Sequence, residues 1–346
     1  VTPVRVLHVT DSYVGAGVSR VLERLVELTP EVEHHLLWAG DSGLVDRARE
    51  RYSTVTELPR GHGRRILATS RVTARLRPDV VHAHSSWGGL YARALAVRAP
   101  VVYQPHCYKF DDGRLAAPAR LAFREAERAL ARRSAATIVL SPHEQRLARQ
   151  LHRAAVTAVV PNSATVPTAE VTPTDVVPDR VVMVGRICSQ KDPAFFSDVQ
   201  RCLRARGSTL RMVWVGDGDD GGRAMLQAAG IEVTGWLDQD ALVAQLSSGA
   251  LYFHCARYEG FPVSVLDAAA LGCPVVVRDI AAFEGTPLTR CATPESAADT
   301  LVDAAAHAAT RARLRAQASA LTTTMGSAAQ RDAVMSLYTR LAGRPR

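Results

Sequence analysis

Apolar positions along the chain follow two alternating patterns. Residues 4–10 (VRVLHVT) are a β-branched run, and residues 19–28 (SRVLERLVEL) follow with apolar side chains at helical spacing. Asp11-Ser12-Tyr13-Val14-Gly15-Ala16-Gly17 lies between them, so the opening reads strand, glycine loop, helix. The same signals recur, with strands expected at 35–38, 80–83, 101–104, 137–140 and 157–160. Helices are expected at 66–76, 89–97, 118–133 and from Ser141 onward. Residues 164–180 (ATVPTAEVTPTDVVPDR) then hold three prolines and few bulky apolar groups, which predicts a linker. The pattern restarts with strands at 180–184, 210–215, 231–234, 250–254 and 274–277. Helices at 194–206, 222–229, 240–247 and 263–271 alternate with them, and 328–341 predicts a closing helix.

Strands alternating with helices predict parallel sheets. Two such series predict an α/β protein of two Rossmann-like doubly wound domains facing each other across a cleft. The length agrees, since 346 residues is about twice that of a usual domain. A hydrophobic fraction of 47% with 22% charged residues supports a sizeable core and excludes a disordered chain. No apolar run is long enough for a membrane span, and residues 1–12 lack a secretory layout. The six cysteines (107, 188, 202, 255, 273 and 291) form no CxxC pair, so reduced thiols and a cytoplasmic protein are expected.

Charge is uneven. Residues 1–170 carry +8 and the remainder none, and residues 61–160 alone sum to +11. Such a face could attract phosphate-bearing substrates, nucleic acid or anionic lipid. Nucleic acid is disfavoured, because aromatics make up only 5% of the chain and no recognition motif is present. Arginine bias explains much of the charge, since only Lys109 and Lys191 among 42 cations are lysine.

In doubly wound sheets, ligands bind beyond the carboxyl ends of the strands. Gly15-Ala16-Gly17 occupies that place in the first half, and the loop suits either a phosphate or a plain tight turn. A dinucleotide fingerprint is incomplete, because Arg20 stands at the third glycine position. Gly185-Arg186 and Lys191 bracket the equivalent loop of the second half, and a guanidinium with an ammonium suits a diphosphate. Gly216-Asp217-Gly218-Asp219 is read as a turn, since its acids lack calcium-loop spacing.

The segment Tyr258-Glu259-Gly260-Phe261-Pro262-Val263-Ser264-Val265-Leu266-Asp267 is the most informative. It follows a strand and opens a helix whose first amides point outward. Helix capping accounts for Asp267 but poorly for Glu259, which precedes the helix with a glycine and a proline between. This segment resembles the E-x7-E signature of the retaining family-4 glycosyltransferases of GT-B fold. The resemblance extends to Gly15-Ala16-Gly17-Val18-Ser19-Arg20, Asp79-Val80-Val81-His82-Ala83-His84, Tyr103-Gln104-Pro105-His106, Pro161-Asn162, Gly185-Arg186 with Lys191, and Val215-Gly216-Asp217-Gly218.

The resemblance implies residues 1–165 as an acceptor-binding domain, 166–180 as linker, and 181–326 as a nucleotide-sugar domain. It implies that 327–346 is a helix crossing back to the first domain. Arg186 and Lys191 would hold the donor diphosphate, with Gly185, the 261–264 turn (the amides of Phe261, Val263 and Ser264, with Pro262 shaping it) and the Gly15 and Gly17 loop assisting. Glu259 would grip the sugar hydroxyls, Asp267 the ribose, and His106 the transferred sugar and the acceptor. His82 and His84 are expected to face opposite ways, with only His84 on the acceptor side; His8 and His254 are read as core residues. Asp267 departs from the usual glutamate, Cys107 from glycine, and Ser163 from glycine.

The implied activity is a metal-independent, retaining hexosyltransferase using UDP or GDP sugars, without a further cofactor. A cell-surface glycan or lipid-linked acceptor is expected, with peripheral docking of the basic domain on the inner face of the membrane. Glycosylation of a small soluble natural product and nucleotide-sugar 2-epimerisation are the alternatives, and a nucleic-acid binder is the remote one.

Overall fold

The valine-rich runs of the first half become parallel strands: β1 (Arg5–Val9), β2 (Glu33–Trp38), β3 (Thr54–Glu57), β4 (Val80–His84), β5 (Val101–Gln104), β6 (Ala136–Val139) and β7 (Thr157–Val159). The computed structural model describes residues 3–13, 17–40, 46, 49–167, 176–247 and 249–343. These strands are ordered β3-β2-β1-β4-β5-β6-β7, each pair parallel. Helices cover both faces, which explains why the central strands are apolar throughout instead of alternating. Val6, Val80 and Val102 pack with Val334, Leu337 and Tyr338 of the helix Ser327–Ala342, while Leu7, Val81 and Tyr103 meet Tyr91 on the other face.

The second sheet has β8 (Arg180–Val184), β9 (Arg211–Val215), β10 (Glu232–Gly235), β11 (Leu251–His254), β12 (Val275–Arg278) and β13 (Thr289–Cys291), ordered β10-β9-β8-β11-β12-β13. Its core centres on Trp214, fully buried and edge-on to Phe196 at 5.4 Å between ring centroids. The chain divides into two compact units, Val1–Asn162 with Ser327–Arg346, and Ser163–Gly326. Each is a Rossmann-like parallel-sheet domain, and in each the strand order reverses beside the first strand. There, between β1 and β4 and between β8 and β11, the following loops diverge and leave a crevice.

Three differences from the sequence pattern have physical reasons. Strand β3 escapes notice because it is four residues long and largely exposed, with no apolar alternation to betray it. The helix Ser85–Arg93 starts four residues before the expected position. Gly88 and Gly89 suggest its start, but they serve close packing: a Cβ on Gly88 would stand 2.6 Å from the Val9 carbonyl oxygen. No described helix is long and apolar enough to cross a membrane.

The third difference is a buried ion pair that no local pattern announces. Arg93, 1% exposed, donates to Glu127 Oε2 at 2.9 Å and lies over the Tyr103 ring at 3.5 Å, while the Tyr103 hydroxyl donates to Glu127 Oε1 at 2.7 Å. Removing one partner strands a buried charge. Arg93→Ala should therefore lower the unfolding free energy by about 3–5 kcal/mol in urea titration. A loss no larger than that of an exposed arginine would refute the buried role.

Candidate active site

In the second unit the loop after β8 and the segment after β11 meet at the reversal of strand order. Asp192 fixes the first. It caps the helix Pro193–Ala205 from a left-handed backbone (φ 56°), accepting from the Phe195 amide at 3.4 Å. Its carboxylate also takes Arg257 Nη2 and Arg278 Nη1, each at 2.7 Å, and Arg278 lies over the Phe195 ring at 4.0 Å. Asp192 thus ties together the entry to this helix, the segment after β11 and the end of β12, and sequence reading had missed it. Gly185 lets Lys191 lie along the loop, since a Cβ there would come within 3.2 Å of Lys191 Cε.

Lys191 is brought to Glu259, and the two form an ion pair through Lys191 Nζ and Glu259 Oε1. His254, the last residue of β11, adds Nε2 at 3.3 Å from the same oxygen, and Gln190 Nε2 donates to Glu259 Oε2 at 3.3 Å. Tyr252 continues the network, its hydroxyl 3.2 Å from His254 Nδ1 and 2.9 Å from Ser264 Oγ. His254 had been read as a core residue. It is fully buried, but its partner is the carboxylate at the centre of the site.

Burial alone would push the Glu259 carboxyl up. The Lys191 charge, the His254 hydrogen bond and the Lys191 contact outweigh it and hold the group down to about 2. Burial lowers His254, so the ring donates to Glu259 as a neutral imidazole at neutral pH. Arg186 differs in kind: it is exposed, and no described residue pairs with its guanidinium. The helix Val263–Ala270 opens after Pro262 without a side-chain cap, leaving first-turn amides such as those of Val263 and Ser264 to bond outward. Phe261 is buried edge-on to Phe283 at 5.6 Å and anchors that turn. Asp219 caps the helix Asp220–Ala228 through the Gly222 amide at 2.7 Å, so the Gly-Asp-Gly segment is a turn and a cap.

Asp267 does not stand open as a ribose ligand would. It is 1% exposed, and its Oδ1 accepts from the Thr165 amide at 2.6 Å and the Val166 amide at 3.3 Å. The carboxylate is held by the chain entering the second unit, so a ribose reaches it only if that segment yields. Most of the expected linker, residues 168–175, lies outside the described residues, as does Gly15; Gly17 opens the helix Gly17–Leu28.

In the first unit, His106 follows β5 with a left-handed backbone (φ 57°), and Ser85 follows β4 in the same conformation (φ 62°). Strain of this kind in non-glycine residues gathers at functional sites. Ser85 Oγ donates to Asp11 Oδ1 at 2.5 Å, joining the loops after β4 and β1. His82 and His84 do not face opposite ways. Two residues apart on one strand, they share a face, with ring centroids 4.0 Å apart and both fully buried. His84 therefore has no open face and instead reaches His106, its Nδ1 lying 3.1 Å from His106 Nε2.

Comparison with known proteins shows the family and the fold. Residues 14–163 fit the model of the glycosyl transferase 4-like domain, and residues 178–311 that of glycosyl transferases group 1. The chain belongs to this family of GT-B glycosyltransferases. An uncharacterized 41.2 kDa protein in the cps region of Klebsiella pneumoniae is 22% identical over 312 residues, 80% of this chain and 82% of its own. Anabaena HepE, solved with UDP and glucose, superposes with a TM-score of 0.78 at 15% identity, over 97% of this chain and all (100%) of its own. The lipopolysaccharide outer core galactosyltransferase WaaB superposes with a TM-score of 0.67 at 15% identity, over 96% and 99% of the two chains.

The Glu259 network makes a pH prediction. Its carboxyl sits near 2 against an ordinary 4.5, so its contribution is complete above about pH 4.5 and is lost as pH falls toward 2. In urea unfolding, the stability advantage of the native chain over Glu259→Gln should be largest at neutral pH, up to about 3 kcal/mol, and shrink below pH 4.5. A difference independent of pH would contradict the ion pair.

Proposed function

We propose that the protein is a retaining, metal-independent hexosyltransferase that moves a sugar from a nucleotide diphospho-sugar, with UDP or GDP as the nucleotide, to an acceptor hydroxyl. The observation that carries the reading is the cluster at the β8–β11 crevice. It sets an ionised, buried Glu259 against Lys191 and His254, with an exposed Arg186 on the neighbouring loop that pairs with no described residue. Such a cluster offers a diphosphate two cations and helix amides, and a sugar one ionised carboxylate held in place by Lys191, His254 and Gln190. Fixed cations and helix dipoles meet the charge developing on the leaving nucleotide without help from a metal.

In the reaction we infer, the bond between the anomeric carbon and the diphosphate oxygen breaks while the acceptor oxygen bonds to the same face. The acceptor proton passes to the departing diphosphate. Arg186, Lys191 and the first-turn amides of the helix Val263–Ala270 stabilise that leaving group, and Glu259 orients the sugar. His106 serves the acceptor side. Asp267 is assigned a different part from the ribose contact, holding Thr165 and Val166 in place.

A cell-surface glycan or lipid-linked acceptor is favoured over a small soluble one by the +11 charge of residues 61–160, which suits docking on an anionic membrane surface. WaaB, a relative in fold, acts on lipopolysaccharide outer core. The free cysteines, read as reduced thiols, support a cytoplasmic assignment.

Thermal shift against UDP, GDP, ADP, TDP and CDP tests the donor site. One diphosphate should raise the melting temperature equally with and without magnesium, and Lys191→Ala or Arg186→Ala should weaken its binding at least about tenfold, the scale of one lost charge-assisted contact. Stabilisation that requires magnesium would contradict metal independence, and no response to any nucleotide would remove the donor assignment.

A further inference from the structure

Four buried imidazoles, His8, His34, His82 and His84, gather in the first unit on the sheet side covered by the helix Ser327–Ala342, and three of them form one chain that ends on the half-buried His106. His34 Nε2 lies 3.1 Å from the Thr29 carbonyl oxygen and 3.0 Å from the Thr29 hydroxyl. That hydroxyl donates to the Leu25 carbonyl at 2.8 Å, so toward His34 both Thr29 oxygens only accept. His34 Nδ1 meets His8 Nε2 at 3.0 Å, His8 Nδ1 meets His84 Nε2 at 3.1 Å, and His84 Nδ1 meets His106 Nε2 at 3.1 Å.

A neutral imidazole has one N–H and one lone pair. Burial keeps these rings neutral, drawing His34 down to about 4 and His106 to about 3, and His8 and His84 well below the usual range with their neighbours' help. His34 must then carry its proton on Nε2 to face Thr29, which makes its Nδ1 an acceptor. His8 must donate to it from Nε2, His84 to His8 from Nε2, and His106 to His84 from Nε2. Four protons fill four contacts in one direction. Turning any ring sets two N–H groups, or two lone pairs, against each other in a buried chain where neither finds water.

We propose that the Thr29 carbonyl, acting through His34, His8 and His84, locks His106 in its Nε2–H tautomer, so that His106 presents a bare Nδ1 as acceptor for a substrate hydroxyl. His34, His8 and His84 are positioning residues; only His106 would touch the ligand. The substrate part of this inference rests on the glycosyl-transfer reading, whereas the tautomer does not. The left-handed backbone of His106 holds the ring at the end of β5, where the chain stops.

A metal ion is the competing use. His8, His82 and His84 each bring a nitrogen within 4.8 Å of the others, and His82 Nε2 is buried without a hydrogen-bond partner. Yet both nitrogens of His8 are already engaged in the chain, and the group contains no carboxylate to offset a buried dication. The hydrogen-bonded chain accounts for more of the geometry.

The test is a two-bond proton–nitrogen spectrum of the full chain labelled with nitrogen-15 histidine, at neutral pH and without ligand. His34, His8, His84 and His106 should each show a pyrrole-type Nε2 and a pyridine-type Nδ1. In His8→Leu, which cuts the chain, the His106 signals should shift to those of a tautomer mixture. An Nδ1–H tautomer or an imidazolium at any of the four would overturn the proposal, as would an unchanged His106 in a folded His8→Leu. Loss of the His8, His82 and His84 signals on adding one equivalent of zinc alone would overturn it in favour of a metal site. If His8→Leu fails to fold, the native spectrum still decides. Tautomers as stated in a protein that ignores every nucleotide would remove the substrate role alone.

Discussion

A carboxylate withdrawn from water stays ionised only if something repays its lost hydration, and at Glu259 that compensation organises the second unit's crevice. Lys191, His254 and Gln190 together surround the carboxylate. To bring them there, the loop after β8 must turn at Gly185, Asp192 must clamp Arg257 and Arg278, and β11 must end on His254. The site is thus the place where several loops are obliged to converge by one charge. Arg186, on the loop after β8, stays exposed with no partner among the described residues, an asymmetry that favours an incoming anion.

The first unit solves a different problem with neutral groups. Its crevice lies over a layer of histidines that burial keeps uncharged, so order comes from hydrogen-bond direction instead of ion pairing. Left-handed backbone at Ser85 and His106 brings the loops after β4 and β5 onto that layer. Rigid polar networks of this kind serve a site that must hold one geometry, because each member is satisfied only when its neighbours are.

Much of the architecture was legible in the chain because a parallel sheet covered on both faces writes its strands as apolar runs and its helices at helical spacing. Glu259 stood out since no capping role explained an acid before a glycine and a proline, and Lys191 because lysine is rare here. The partners were not legible. His254 meets Glu259 only once a turn folds back, and His8 meets His84 only through the β1–β4 register that pairs His8 with His82. Arg93 with Glu127, and Asp192 with Arg278, are 34 and 86 residues apart, and nothing local marks them as pairs. Asp267 looked like a ligand because its spacing from Glu259 fits the family signature. Its burial against Thr165 depends on where the linker enters, which composition does not encode.

On the proposed reading, the donor's diphosphate and sugar meet the protein at the Glu259 cluster. A crystal structure of the chain soaked with UDP-glucose or GDP-mannose tests it most directly. Diphosphate density is expected within hydrogen-bonding distance of Lys191 Nζ and the Arg186 guanidinium, with a sugar hydroxyl on Glu259. Density for the nucleotide elsewhere, with the Lys191–Glu259 pair undisturbed and Arg186 free, would contradict it.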